Sequence, residues 1–141
     1  MFENGVWRVA HSRETDASPA AVWRLMSDIL NWGRWNAGIA AIAIDGSFAA
    51  GTWFTMTPPG EAPLRCRLVE VRDGEGFIDE TQVGDLVVVV DHRIVPHGKG
   101  ARITYALEAR GPEAAAIGAA VAADFPDVLA SLARLAEEGA A

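Results

Sequence analysis

Four side chains in this 141-residue sequence could move protons as a set: His11, Asp79, His92 and Tyr105. An imidazole oriented by a carboxylate acts as a general base near neutral pH, and a tyrosine hydroxyl polarises a carbonyl. Together they suit enolisation, aldol cyclisation or dehydration of a ketone-bearing ligand. Competing chemistries find no support in the sequence. The three histidines show no HxH or HxxxH spacing, so no metal site is expected. Phosphate-cradling GxGxxG and GxxxxGK loops and the GxSxG serine elbow are missing, and no cofactor is implied. Cys66 is the single cysteine, which excludes an internal disulfide or a CxxC pair. Lying mid-strand between Arg65 and Arg67, it reads as a small buried hydrophobe rather than a nucleophile.

The elements that must position these residues follow from periodicity and turn residues. Val6–Thr15 reads as a strand with Trp7, Val9 and His11 on one face. Ser18-Pro19 is an N-cap hydroxyl followed by proline at the first helical position, and it predicts a helix to about Ile29. Trp32–Asn36 fits one further helical turn. Six apolar runs follow, at 39–45, 52–57, 64–71, 77–83, 86–95 and 101–110, each closed by glycine, proline or aspartate turns. Short connections make them an antiparallel meander, since parallel strands need long crossovers. From Pro112 to about Glu138 an apolar stripe of Ile117, Val121, Phe125, Val128, Leu132 and Leu135 predicts one long helix. Pro126 inside that stripe predicts a kink near 122–126.

Strand parity then orients the candidates. If the inward set of the 86–95 strand ends in Ile94, His92 faces inward with Val90, while Asp91 and Arg93 face water. On 101–110 the apolar set Ile103, Tyr105 and Leu107 is inward. On 77–83, Phe77 and Val83 share a face with Asp79 and Thr81. Pairing the first strand with the last would align His11, Tyr105, His92 and Asp79 on four neighbouring strands. A carboxylate in an apolar cup costs several kcal/mol unless paired or protonated. Asp79 therefore admits two readings: a functional acid, or a register slip that sends it to solvent. Buried histidines and tyrosines also commonly serve only to satisfy hydrogen bonds.

Composition bounds the partners. Half of the residues are apolar and the net charge is −7, with a pI of about 4.8. That balance repels phosphate backbones and anionic membranes, which argues against nucleic-acid binding. A polar N-terminus and the lack of eighteen uninterrupted apolar residues argue against a signal peptide or membrane insertion, so the expected compartment is the cytoplasm. A homodimer is compatible with the size, although no coiled-coil seam appears.

The segments Ala17–Trp23, Trp32–Asn36, Gly51–Phe54, Asp91–Pro96 and Gly100–Thr104, in this order and spacing, resemble the START-related, birch-pollen-allergen-like (SRPBCC) superfamily. Within it the chain is similar to the polyketide cyclase/dehydrase-like branch, over about residues 6–138. The resemblance implies an α+β helix-grip fold. A curved antiparallel sheet of about seven strands wraps a long C-terminal helix, with two short helices after the first strand and the whole chain, 1–141, as one domain. It also implies a cavity between sheet and helix for a lipid, polyketide, sterol or hormone. Relatives often carry a large aromatic where Asp79 stands, so an inward carboxylate departs from the pattern. The wall expected here comprises His11, Phe54, Met56, Cys66, Phe77, Val90, Ile103, Val121 and Phe125, with Trp32, Trp35 and Asn36 at the mouth. Three functions stay open. The first is a carrier or sensor of a small hydrophobic molecule, and the second is a cyclase or dehydratase using His92, Asp79 and Tyr105. The third is a non-enzymatic interaction domain.

Overall fold

Alternation and tight turns build the sheet. The computed structural model describes residues 2, 3 and 5–139, the first two by their backbone alone. Eight strands form one antiparallel sheet: β1 (Phe2–Glu3), β2 (Val6–Thr15), β3 (Ala41–Ile44), β4 (Trp53–Thr57), β5 (Leu64–Arg72), β6 (Gly76–Val83), β7 (Leu86–His97) and β8 (Gly100–Arg110). Their spatial order is β1-β2-β8-β7-β6-β5-β4-β3, so the meander from β3 to β8 closes back onto β2. The seven strands expected from Val6 onward are present within two residues of their limits, and β1 is additional. Residues 1, 4, 140 and 141 lie outside the described residues. Parity runs as the sequence predicts on the two longest strands. Val88, Val90, His92 and Ile94 of β7 are buried, as are Ile103, Tyr105 and Leu107 of β8. On β5 a bulge at Val69, between Leu68 and Glu70, resets the alternation.

Helix α1 (Pro19–Met26) starts as its cap dictates, with the Ala21 N–H donating to Ser18 Oγ at 3.1 Å. It ends three residues earlier than expected: the Ser27 hydroxyl joins its N–H on the Trp23 carbonyl, at 2.8 Å each, and the Asp28 N–H turns to the Leu25 carbonyl at 3.3 Å. A 3₁₀ turn, Ile29–Arg34, follows. It is pinned by the Trp32 indole N–H donating to the Met26 carbonyl at 2.9 Å.

The single long helix expected over Pro112–Glu138 is two helices, α2 (Ala114–Ala122) and α3 (Phe125–Gly139). Pro126 has no N–H to offer the Ala122 carbonyl, and its ring crowds that turn, so the kink becomes an interruption at Ala123-Asp124. The start is later than expected because Glu113 holds the left-handed conformation, φ 59°, as the chain turns off β8. Helix α2 packs on β2 and β8, and its closest approach is at Gly118. A Cβ there would stand 2.6 Å from the Trp7 ring. Helix α3 packs on β2 and α1 through Val128, Leu129, Leu132, Ala133 and Ala136. Leu129 and Leu132 are fully buried, contributing roughly 1.5–3 kcal/mol each. The Thr15 hydroxyl donates to Glu137 at 2.6 Å and ties the end of α3 to the end of β2. The span Ala114–Gly139 is long and apolar enough to cross a membrane by length and composition, and a third of its most apolar window is buried inside the fold.

Candidate functional site

Register decides which inward side chains meet. Across the centre of the sheet His11 stands opposite Tyr105, Tyr105 opposite His92, and His92 opposite Phe77. The expected fourth member of that row, Asp79, is displaced by two residues and stands opposite Val90 on β7 and Leu68 on β5. The row is therefore aromatic. Trp32 stacks on Phe77 (5.4 Å between centroids, 20°), and Phe77 stacks on His92 (3.9 Å, 12°). His92 meets Tyr105 edge-on at 4.5 Å, and Tyr105 meets Phe125 edge-on at 5.4 Å. Gly76, at φ 145°, permits the close approach at the Phe77 end, because a Cβ there would collide with the His92 carbonyl.

His92 is part of this wall rather than the partner of Asp79. Its Nδ1 lies 3.3 Å from the Phe77 carbonyl, which can only accept, so the proton sits on Nδ1. Burial pushes its pKa down to about 3, overcoming the carbonyls of Phe77 and Val90 that favour the charged ring. Among the described residues no hydrogen bond or ion pair joins His92 to Asp79. The oriented-base arrangement expected from the sequence is not assembled, since the two residues occupy different rungs.

Below the aromatic row lies a cavity of about 170 Å³. Its sheet wall is Met56, Leu64, Cys66, Phe77, Asp79, Thr81, Val83, Val88, Val90, His92 and Tyr105; its helical wall is Ile117, Val121, Phe125 and Val128. Trp32, Trp35, Asn36 and Asp124 complete it. The mouth opens beside Val121, Val83 and Asp124, all exposed. Three residues expected in the wall are elsewhere. Phe54 is covered by the edge of Trp32 at 5.7 Å, and Ile103 pairs with Ile94 in the closed core. His11 is separated from the cavity by the Phe125 ring, which it meets edge-on at 6.3 Å.

The polar groups of the cavity have distinct states. Asp79 keeps contact with cavity space, yet apolar protein surrounds it, and that burial pushes its carboxyl up to about 7. It has no hydrogen-bond or ion-pair partner among the described residues. Burial likewise raises the Tyr105 hydroxyl, with the charges of Asp79 and Asp124 adding to the effect. Cys66 is pushed up to about 11 by burial, although it accepts the Thr81 hydroxyl at 3.1 Å. Asp124 is raised by partial burial and by Asp127. Asn36 Oδ1 accepts the Gly38 N–H at 2.9 Å. No three His, Cys, Asp or Glu side chains gather to hold a metal among the described residues.

Several lining residues escaped the sequence reading. Val88 shares the parity of Val90, and Ile117 and Val128 lie in the helical stripe, so their signals were present. Asp124 also had one: an aspartate two residues before Pro126 is an N-cap pattern, and the Val128 N–H donates to the Asp124 carbonyl at 2.9 Å.

With this geometry in place, comparison with known proteins gives a consistent picture. A family model described as polyketide cyclase / dehydrase and lipid transport matches residues 6–137. No curated protein sequence matches the chain. Solved structures do. A Mesorhizobium loti protein, MLL2253, is 19% identical with a TM-score of 0.78, covering 94% of this chain and 98% of that one. Norcoclaurine synthase from Thalictrum flavum, a point mutant in complex with a transition-state analogue, is 17% identical at 0.77, covering 100% of both chains. The di-domain aromatase/cyclase StfQ of the steffimycin biosynthetic pathway is 14% identical at 0.79, covering 96% of this chain and 52% of that one. At such identities the likeness is one of fold, the birch-pollen-allergen-like helix-grip fold.

Proposed function

The chain belongs to the polyketide cyclase / dehydrase and lipid transport family, and on that premise we propose that it binds a small, largely apolar organic molecule between the sheet and α2–α3. The observation that carries this reading is the cavity itself, about 170 Å³ and walled by Trp32, Trp35, Phe77, Val88, Val90, Tyr105 and Phe125. An apolar cavity of roughly 150 Å³ accepts benzene, so the ligand class is a molecule of one or two rings.

Calorimetric titration with 1-naphthol tests the reading. Saturable binding is expected, weakened about tenfold or more by Val121→Trp, which plugs the mouth from an exposed helical position. Binding that Val121→Trp leaves unchanged would place the probe elsewhere and refute it.

A second reading, acid–base catalysis on a carbonyl ligand, is favoured by one observation. Asp79, its carboxyl pushed up to about 7 and without a partner among the described residues, can both give and take a proton at neutral pH. In that reading Tyr105 polarises the carbonyl and His92 serves as a ring of the wall. Asp79→Asn would then lower turnover of a cyclisable substrate by roughly 100-fold with affinity retained.

A further inference from the structure

We infer that the cavity selects a ligand bearing a basic nitrogen, seated against Asp79, and turns away carboxylate analogues; this rests on the reading that the cavity holds a ligand. Cation supply on the two faces of the sheet is opposite. Outside, acids on or next to these strands have found arginines, among them Glu80 with Arg67 at 3.6 Å, Asp91 with Arg93 at 2.6 Å, Asp45 with Arg65 at 2.9 Å, and Glu108 with Arg8 and Arg110 at 3.0 and 2.7 Å. Inside, the lining holds Asp79 and Asp124 with no lysine or arginine, and its one histidine is the neutral His92.

Asp79 is the inward member of β6 next to the outward Glu80, so the same strand pairs one carboxyl and leaves its neighbour open to the cavity. A carboxylate so placed gains its counter-ion from whatever enters. The aromatic lining, Trp32, Trp35 and Tyr105 included, is compatible with the same preference, because a ring face attracts a cation and repels an anion. Asp124 at the mouth imposes the same sign on the route in. A carboxylate ligand would instead bring like charge beside Asp79, with no lysine or arginine in the lining to offset it.

The test uses three probes of one shape: 2-phenylethylamine, 2-phenylethanol and 3-phenylpropanoate, titrated by calorimetry at pH 8. The amine is expected to bind roughly tenfold or more tighter than the alcohol, and the carboxylate roughly tenfold or more weaker. Asp79→Asn should erase the amine's advantage while leaving the alcohol's affinity in place, which also shows that the variant is folded. Glu80→Gln, on the outer face, should leave the order unchanged. Binding of the alcohol as tight as the amine, or an amine preference that survives Asp79→Asn, overturns the inference and leaves the cavity reading standing. Failure of all three probes to bind overturns both.

Discussion

Exchanging Asp79 for asparagine removes a charge from the cavity while keeping the shape of the side chain. Its carboxyl titrates at about 7 in the folded protein against an ordinary value of 3.8, and the cause is burial. Because the folded value is raised, the folded state holds the proton more tightly than the unfolded chain. The stability this contributes is complete below the unfolded value and is lost as pH rises through about 7. Between pH 5 and pH 8 the full shift corresponds to roughly 2.5 kcal/mol. The carboxyl keeps some surface open to the cavity, so a difference of about 1–2.5 kcal/mol is the expected range. Asparagine does not titrate. The variant's advantage over the parent should therefore be larger near pH 8 than near pH 5, by roughly 3–8 °C in Tm. Thermal and urea unfolding of both proteins at the two pH values gives the comparison, with all other titrating groups cancelling. Equal effects at both pH values, or a smaller advantage at pH 8 than at pH 5, would refute the argument that Asp79 is ionised there without a partner.

Other consequences follow from the same geometry. The His92 ring should remain neutral in ¹⁵N spectra at pH 5, with its proton on Nδ1; a charged ring there would contradict the argument from its burial. Since its folded pKa is lowered, the unfolded chain takes up that proton first, and acidification below about 6.5 should destabilise the fold through this residue. Gly118→Ala should cost about 1–3 kcal/mol, read as a lower urea midpoint, because the added Cβ would stand 2.6 Å from the Trp7 ring. Cys66, buried and pushed up to about 11, should react with iodoacetamide far more slowly in the folded protein than in urea.

Most of the architecture was legible because each strand ends at residues with a mechanical reason to turn. Parity was legible too, since an inward His92 and Tyr105 follow from the apolar set of each strand. Register was misjudged at Asp79, although the turn held the information. A two-residue Gly84-Asp85 loop pins Val83 opposite Leu86, and counting back places Phe77, not Asp79, opposite His92. The Val69 bulge left no such signal, since nothing local distinguishes it from an ordinary strand residue. Nor could the chain announce that Phe125 would screen His11 from the cavity, or that Trp32 would cover Phe54. Those outcomes depend on where rings from distant segments come to rest. Pro126 marked the helix interruption, but Asp124 matters only because the interruption faces the cavity mouth.

The central claim is that the space beneath the aromatic row is a ligand site, and native mass spectrometry of freshly purified protein tests it most directly. A discrete small-molecule adduct is expected that disappears on denaturation and is displaced by 1-naphthol. A bare mass that stays unchanged after incubation with one- and two-ring aromatics, amines included, would contradict it. The cavity would then be a packing defect, and the interaction-domain alternative would take its place.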